Sequence, residues 1–259
     1  MSNAVDYAGK VVLVTGGTRG IGRGIAEAFM AQGATVVICG RQAPLQALQV
    51  AGKEALFLAA DVRNGVQMQE IFAAIKERFG RLDVLVNNAG GSPYVMAAEA
   101  SPRFNEAIIS LNLTAPLDLA QRANALMQEQ DGGVIVFIGS VSAIRPSPGT
   151  AVYGAAKAGV LSLVRSLAIE WAPKVRVVAL SPGLVLTEES HQHYGDADGV
   201  AAVGATIPLG RLAVPEDIAA ACLFLASPAA AYVTGTNLVL DGGGERPAFL
   251  TAANVQRSG

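Results

Sequence analysis

Seven short runs of β-branched and apolar residues alternate with five longer helical stretches along this chain, and that alternation restricts the fold more than any other feature. The predicted strands cover residues 11–15, 35–39, 56–59, 84–87, 134–140, 175–181 and 237–240. Several are apolar without a break, the pattern of strands covered on both faces. The predicted helices cover 21–32, 66–78, 105–128, 151–171 and 216–226, with Pro116 marking a break between two helices inside the third. Strand, helix, strand, repeated, implies a parallel sheet with right-handed crossovers. The expected fold is a single α/β domain: a doubly wound parallel sheet of seven strands with helices on both faces. Ligands of such sheets bind beyond the carboxyl ends of the strands, at the switch point. The residues just after each strand are therefore the ones that can carry function.

Composition supports one large domain in 259 residues, half of them apolar and only 5% aromatic. Residues 1–244 form the expected domain and 245–259 a tail without clear periodicity. The net charge of −2 gives no electrostatic reason to expect nucleic acid or an anionic membrane as partner. Cys39 and Cys222 sit in apolar runs, and neither has a Cys or His at ligand spacing, so buried thiols and no metal site are expected. The first ten residues contain no apolar h-region. The longest apolar stretch, 219–233, is broken by Pro228 and is too short to span a bilayer. A cytoplasmic protein is expected. Residues 188–208 contain Gly195, Gly199, Gly204 and the two histidines, His191 and His193, and are expected to be irregular.

The first strand runs into Thr15-Gly16-Gly17-Thr18-Arg19-Gly20-Ile21-Gly22 and then a helix. Glycines allow a tight turn and a close approach of backbone to a phosphate. A helix N-terminus offers unpaired N–H groups and the positive end of a dipole. A glycine-rich turn alone can be no more than a turn. Between first strand and first helix it points to a dinucleotide.

The spacing Gly-x-x-x-Gly-x-Gly resembles the opening of the short-chain dehydrogenase/reductase family, whose domain is Rossmann-like, and the likeness continues along almost the whole chain. Asp61-Val62 follows the third strand, where the family sets an Asp against adenine. Asn87-Asn88-Ala89-Gly90 matches the family signature after the fourth strand. Ser181-Pro182-Gly183, with Val185 and Thr187 beyond, matches the segment that packs on the nicotinamide. The resemblance thus implies cofactor contacts from Gly16, Thr18, Arg19, Gly20, Ile21, Gly22, Asp61, Val62, Asn88, Ala89, Gly90, Pro182, Gly183, Val185 and Thr187. The second strand ends at Cys39-Gly40-Arg41 with no acid to hold a ribose diol and repel a 2′-phosphate. Arg41 offers a planar fork suited to phosphate, and Arg19 a second cation. NADP(H) is the expected cofactor, ahead of NAD(H).

Tyr153 and Lys157 lie four residues apart at the start of a helix and share one face. Such a pair is also found on ordinary helix surfaces. Ser140, thirteen residues before Tyr153, and Asn112 complete the family's Asn-Ser-Tyr-Lys tetrad. A phenol has a pKa of about 10, too high for a base near neutrality. A nearby ammonium and an oxidised nicotinamide both favour the phenolate. By the resemblance, Lys157 also bonds the nicotinamide ribose, Ser140 holds the substrate oxygen, and Asn112 positions a water that links Lys157 to solvent. Tyr153 is then the general acid in reduction and the base in oxidation.

Substrate contacts are expected from Ser92, Ser140, Ser142 and Tyr153, with a mostly apolar wall that includes Tyr94, Ala143 and Ile144. Residues 188–208 correspond to the family's substrate lid. The resemblance implies a carbonyl or 3-ketoacyl reductase. Two alternatives stand beside it: a secondary-alcohol dehydrogenase working in oxidation, and a cofactor-binding sensor without turnover. The family is commonly tetrameric, so a homotetramer or homodimer is expected. Val178 and Ala213 depart from residues common in the family, and neither belongs to the tetrad.

Overall fold

The computed structural model describes residues 6–252. The strands of its main sheet are β1 (Val11–Thr15), β2 (Thr35–Gly40), β5 (Leu56–Ala59), β6 (Val84–Asn87), β7 (Gly133–Ile138), β8 (Val175–Pro182) and β9 (Asn237–Leu240). Every pairing among them is parallel, in the spatial order β5-β2-β1-β6-β7-β8-β9. The chain winds outward from β1 to one edge, returns to β6 beside β1, and winds to the other edge. The switch point therefore lies between the ends of β1 and β6.

Side chains on successive strand residues point to opposite faces, and the strands separate accordingly. Leu13, Val37, Leu85, Ile135, Phe137 and Val177 face one core. It is closed by helices α2 (Gly65–Phe79), α4 (Ala115–Glu129) and α5 (Ala151–Glu170), through residues such as Phe72, Leu119 and Val164. Val12, Val14, Val36, Ile38, Val86, Val136 and Val178 face the other. There they meet α1 (Gly20–Ala31) and α8 (Pro215–Ala226), through Ile25, Phe29, Ile218 and Cys222. Both cysteines are buried and unpaired. The aliphatic residue at 178 is part of this second core.

Three regions differ from the sequence expectation. A two-stranded hairpin, β3 (Gln49–Val50) with β4 (Lys53–Glu54), was not expected. Its two turn residues, Ala51 and Gly52, both have positive φ, the geometry that matches the twist of a tight hairpin.

Pro116 does not break the chain into two separate helices. Helix α3 (Pro102–Ile109) passes into a π-turn, Ser110–Thr114, and then into α4 with right-handed dihedrals at both junctions. Pro116 stands in the first turn of α4, where a missing N–H costs least. The wider turn precedes it.

Residues 188–208 are largely helical rather than irregular: a short α6 (His191–Tyr194) and a longer α7 (Ala197–Thr206). Gly195, at φ 80°, turns between them, and the Asp196 side chain accepts from the Gly199 N–H as the N-cap of α7. In the tail, Phe249–Ala252 forms a last short turn of helix, α9.

Candidate active site

The loops after β1 and β6 are fastened together at the switch point. The Thr15 hydroxyl oxygen accepts from the Asn88 N–H at 3.0 Å and from the Ala89 N–H at 2.9 Å. The Asn88 side-chain amide donates back to the Thr15 carbonyl at 2.9 Å and to the Gly16 carbonyl at 3.3 Å. Thr15, the first residue of the glycine-loop motif, therefore belongs to the site scaffold through its side chain. Gly16 and Gly20 have φ of 64° and 52°, which favours glycine. At Gly22 an added Cβ would fall 2.2 Å from the Gly16 carbonyl oxygen and 2.4 Å from the Asn88 amide nitrogen. The helix must approach the loop this closely, and only glycine permits it.

Helix α1 begins at Gly20-Ile21 with no side-chain cap and no acidic residue in its first turn. Its first N–H groups and dipole remain available for an anion. This uncapped start, the tight loop and its place at the switch point fit the diphosphate of a dinucleotide. The Thr18 side chain covers Gly40 at the end of β2. Arg41 follows, exposed, with neither a hydrogen bond nor an ion pair among the described residues.

Asp61 is held by Arg63 in a two-pronged pair, at 3.0 and 2.6 Å. That guanidinium keeps the Asp61 carboxyl below the usual range, with Arg41 adding to the effect. Val62 beside it is buried. Arg19, the second cation expected at the phosphate, is engaged. It forms an ion pair with Glu189 at the start of the lid.

The four tetrad residues come together. Ser140 lies beyond the end of β7, not within it as expected, and its hydroxyl accepts from the Ser142 N–H at 3.1 Å to cap a 3-10 turn, Val141–Ala143. The Ser140 hydroxyl faces the Tyr153 phenol. Burial pushes the Tyr153 pKa up, and the neighbouring Ser140 hydroxyl pulls it partly back. One turn along α5, the Lys157 ammonium lies 5.6 Å from the centre of the Tyr153 ring. It is buried and donates to the Ile138 carbonyl at 2.7 Å. Burial lowers the Lys157 pKa to about 8. No carboxylate supplies a countercharge in the contacts that Lys157 makes.

Asn112 is fully buried in the π-turn. Its amide donates to the Gly91 and Ile108 carbonyls, both at 2.9 Å, and its oxygen accepts from the Gly91 N–H at 2.9 Å. The side chain is thus committed to the loop after β6, which bears on the expected water contact. Gly90 is wedged beside it: a Cβ there would lie 2.8 Å from the Asn112 oxygen and 3.4 Å from the Lys157 nitrogen.

Beyond β8, Gly183 packs so closely on Asp241 that a Cβ would fall 2.8 Å from the Asp241 Cα. Val185 bridges to Ala213, and the Thr187 N–H donates to the buried Ser190 hydroxyl at 2.7 Å. Ser190, unforeseen, fixes the start of the lid. Of the expected substrate contacts, Ser92 is turned to the Pro93 carbonyl and Ser142 accepts from Ser147. His191 and His193 are exposed on α6.

A doubly wound sheet with a phosphate-ready loop and a Ser-Tyr-Lys cluster at its switch-point edge defines an oxidoreductase of the nicotinamide-nucleotide class. Residues 16–245 match the family model described as enoyl-(acyl carrier protein) reductase. The chain is 37% identical over 250 residues to 3beta-hydroxysteroid dehydrogenase 1 of Eggerthella lenta, covering 92% of this chain and 94% of that one. It is 38% identical over 241 residues to D-threitol dehydrogenase of Mycolicibacterium smegmatis, covering 91% and 92%. Among solved structures, ligand-free aldohexose dehydrogenase of Thermoplasma acidophilum superposes with a TM-score of 0.86 at 30% identity, over 100% of this chain and 99% of that one. This chain belongs to the short-chain dehydrogenase/reductase family, the oxidoreductases that interconvert alcohols and carbonyl compounds with NAD(H) or NADP(H).

Proposed function

We propose that this protein interconverts a secondary alcohol and a ketone with NADP(H), Tyr153 carrying the proton. The observation that supports this best is the Ser140–Tyr153–Lys157 cluster: a buried phenol facing a hydroxyl, with an ammonium one helical turn away. The nicotinamide supplies or accepts the hydride. Ser140 orients the carbonyl oxygen and stabilises the charge that develops on it. Tyr153 donates its proton to that oxygen in reduction and takes it from the alcohol in oxidation. Lys157, buried and positive, favours the phenolate. Asn112 holds the Gly90–Gly91 backbone against Lys157, and so keeps the cluster in register. The diphosphate is assigned to the glycine loop and the first turn of α1.

NADP(H) is favoured over NAD(H) by the residues after β2. No acid stands there, and Arg41 is exposed and available to a 2′-phosphate. A cytoplasmic homotetramer or homodimer completes the reading. Support for the association is apolar surface left open on α8 and on the edge strand β9, where Phe224 and Val239 stay exposed.

The test is a nicotinamide-absorbance assay with NADPH and NADP⁺ against a panel of ketones and secondary alcohols. Turnover is expected with the wild type. Tyr153→Phe is expected to lose it by about a thousandfold or more while still binding NADPH. A Tyr153→Phe protein of near wild-type rate would remove the tyrosine from its role. NADPH binding without turnover of any substrate would favour a sensor.

A further inference from the structure

Beside the catalytic cluster lies a cavity whose wall comes from the loops after β7, β8 and β9. Val141, Ile144, Leu184 and Ile207 give it an apolar lining. Three charged residues share that wall: Arg145, Asp241 and Glu245. Val141 is the residue after Ser140, and Gly183, also in the wall, belongs to the segment assigned to the nicotinamide. The cavity therefore borders the segments to which the proposed function assigns the substrate oxygen and the nicotinamide.

The charges are not arranged to receive an anion. The Arg145 guanidinium is paired with the Glu245 carboxylate at 2.8 Å. Asp241 accepts from the Gly243 N–H and has no cationic partner among the described residues. One cation faces two carboxylates, so the rim is net negative. Both partners of the pair are only partly exposed, 35% and 45%, and their field reaches the cavity with less screening than two fully solvated charges would have.

We infer that Arg145, Glu245 and Asp241 act as a charge filter, admitting uncharged carbonyl compounds and turning away carboxylates and phosphates. Glu245 is the controlling member. It comes from the tail, which thus contributes to specificity, and it occupies the one guanidinium that would otherwise recruit an anionic substrate. The inference deepens the proposed function by naming the substrate class, and it rests on that reading for the position of the substrate.

The test compares a short series of oxo-carboxylic acids with their methyl esters, which differ in one charge. Wild-type enzyme is expected to prefer the esters. Glu245→Gln, which frees Arg145, is expected to raise the acid-to-ester ratio of kcat/KM by about fivefold. Arg145→Gln in that background is expected to bring it back. A ratio that does not move in Glu245→Gln overturns the filter. A second readout needs no turnover: fluorescence of enzyme-bound NADPH is titrated with each acid and ester. The same shift in relative affinity is expected there, and equal shifts for acid and ester overturn the filter. Should turnover be absent while the fluorescence titration still separates acid from ester, the proposed function fails and the filter stands.

Discussion

Arg19 of the glycine loop and Glu189 at the start of the lid are joined in an ion pair. The contact links the segment that receives the cofactor to the segment that covers the substrate. It also means that one of two cations expected at the 2′-phosphate is already engaged. Arg19 is largely solvated and Glu189 is partly so, which makes the pair a weak restraint.

If NADP(H) recruits Arg19, the phosphate and Glu189 compete for it. Glu189→Gln is expected to tighten NADPH by about threefold at low ionic strength and to leave NADH unchanged. Added salt should erase the difference. Fluorescence titration of both nucleotides measures it. Equal changes for the two would show that Glu189 acts on the lid alone.

Two glycines separate cofactor geometry from plain stability. Gly22→Ala forces a methyl group into the Gly16 carbonyl and the Asn88 amide. Gly132→Ala forces one to within 2.1 Å of the Lys174 carbonyl, at the amino ends of β7 and β8 and at a φ of 107°. Each is expected to cost about 1–3 kcal/mol of stability. Only Gly22→Ala should also weaken NADPH, by tenfold or more. Melting curves with and without nucleotide distinguish the two. A Gly22→Ala protein with unchanged NADPH affinity would show that the loop adapts freely.

The sheet was readable because strands buried on both faces leave apolar runs that few other structures produce, and their bounds shift by at most two residues. The grouping of Ser140, Tyr153 and Lys157 was readable because one follows a strand and the other two share a helix face. Other features were not. The π-turn around Asn112 has no periodic signature in Ser110-Leu111-Asn112-Leu113-Thr114, and Pro116 suggested a break where the backbone only widens. The helical lid carried an N-cap at Asp196, but its glycines outweighed that signal. The pairs Arg19–Glu189 and Arg145–Glu245 join residues at least a hundred positions apart, which no local pattern reveals.

Asn112 supplies the restraint on the Gly90–Gly91 loop. Asn112→Ala removes three hydrogen bonds and leaves the Gly91 N–H and C=O and the Ile108 carbonyl without that partner. A loss of about 1–3 kcal/mol is expected. The rate should fall further than stability does, because the loop abuts Lys157 through Gly90. Thermal melts beside kcat at a temperature well below the transition will show it. A variant that keeps its kcat would make Asn112 structural only.

Lys157 gives the apo protein a stability that depends on pH in a stated direction. Its pKa is about 8 when folded, against 10.5 for an ordinary lysine, because burial disfavours the ammonium. Between those values the unfolded chain holds the proton and the folded chain does not. Stability from this group therefore rises with pH across about 8 to 10.5, and below about 8 the buried charge costs its full amount. Lys157→Met abolishes this titration. Tyr153→Phe serves as the common background, so that the phenol does not titrate in either protein. The Tm of the lysine protein, relative to the methionine one, is expected to climb from pH 8 to 10.5 and to be flat below pH 7. A difference that stays level across the alkaline range would show that Lys157 keeps its proton when folded.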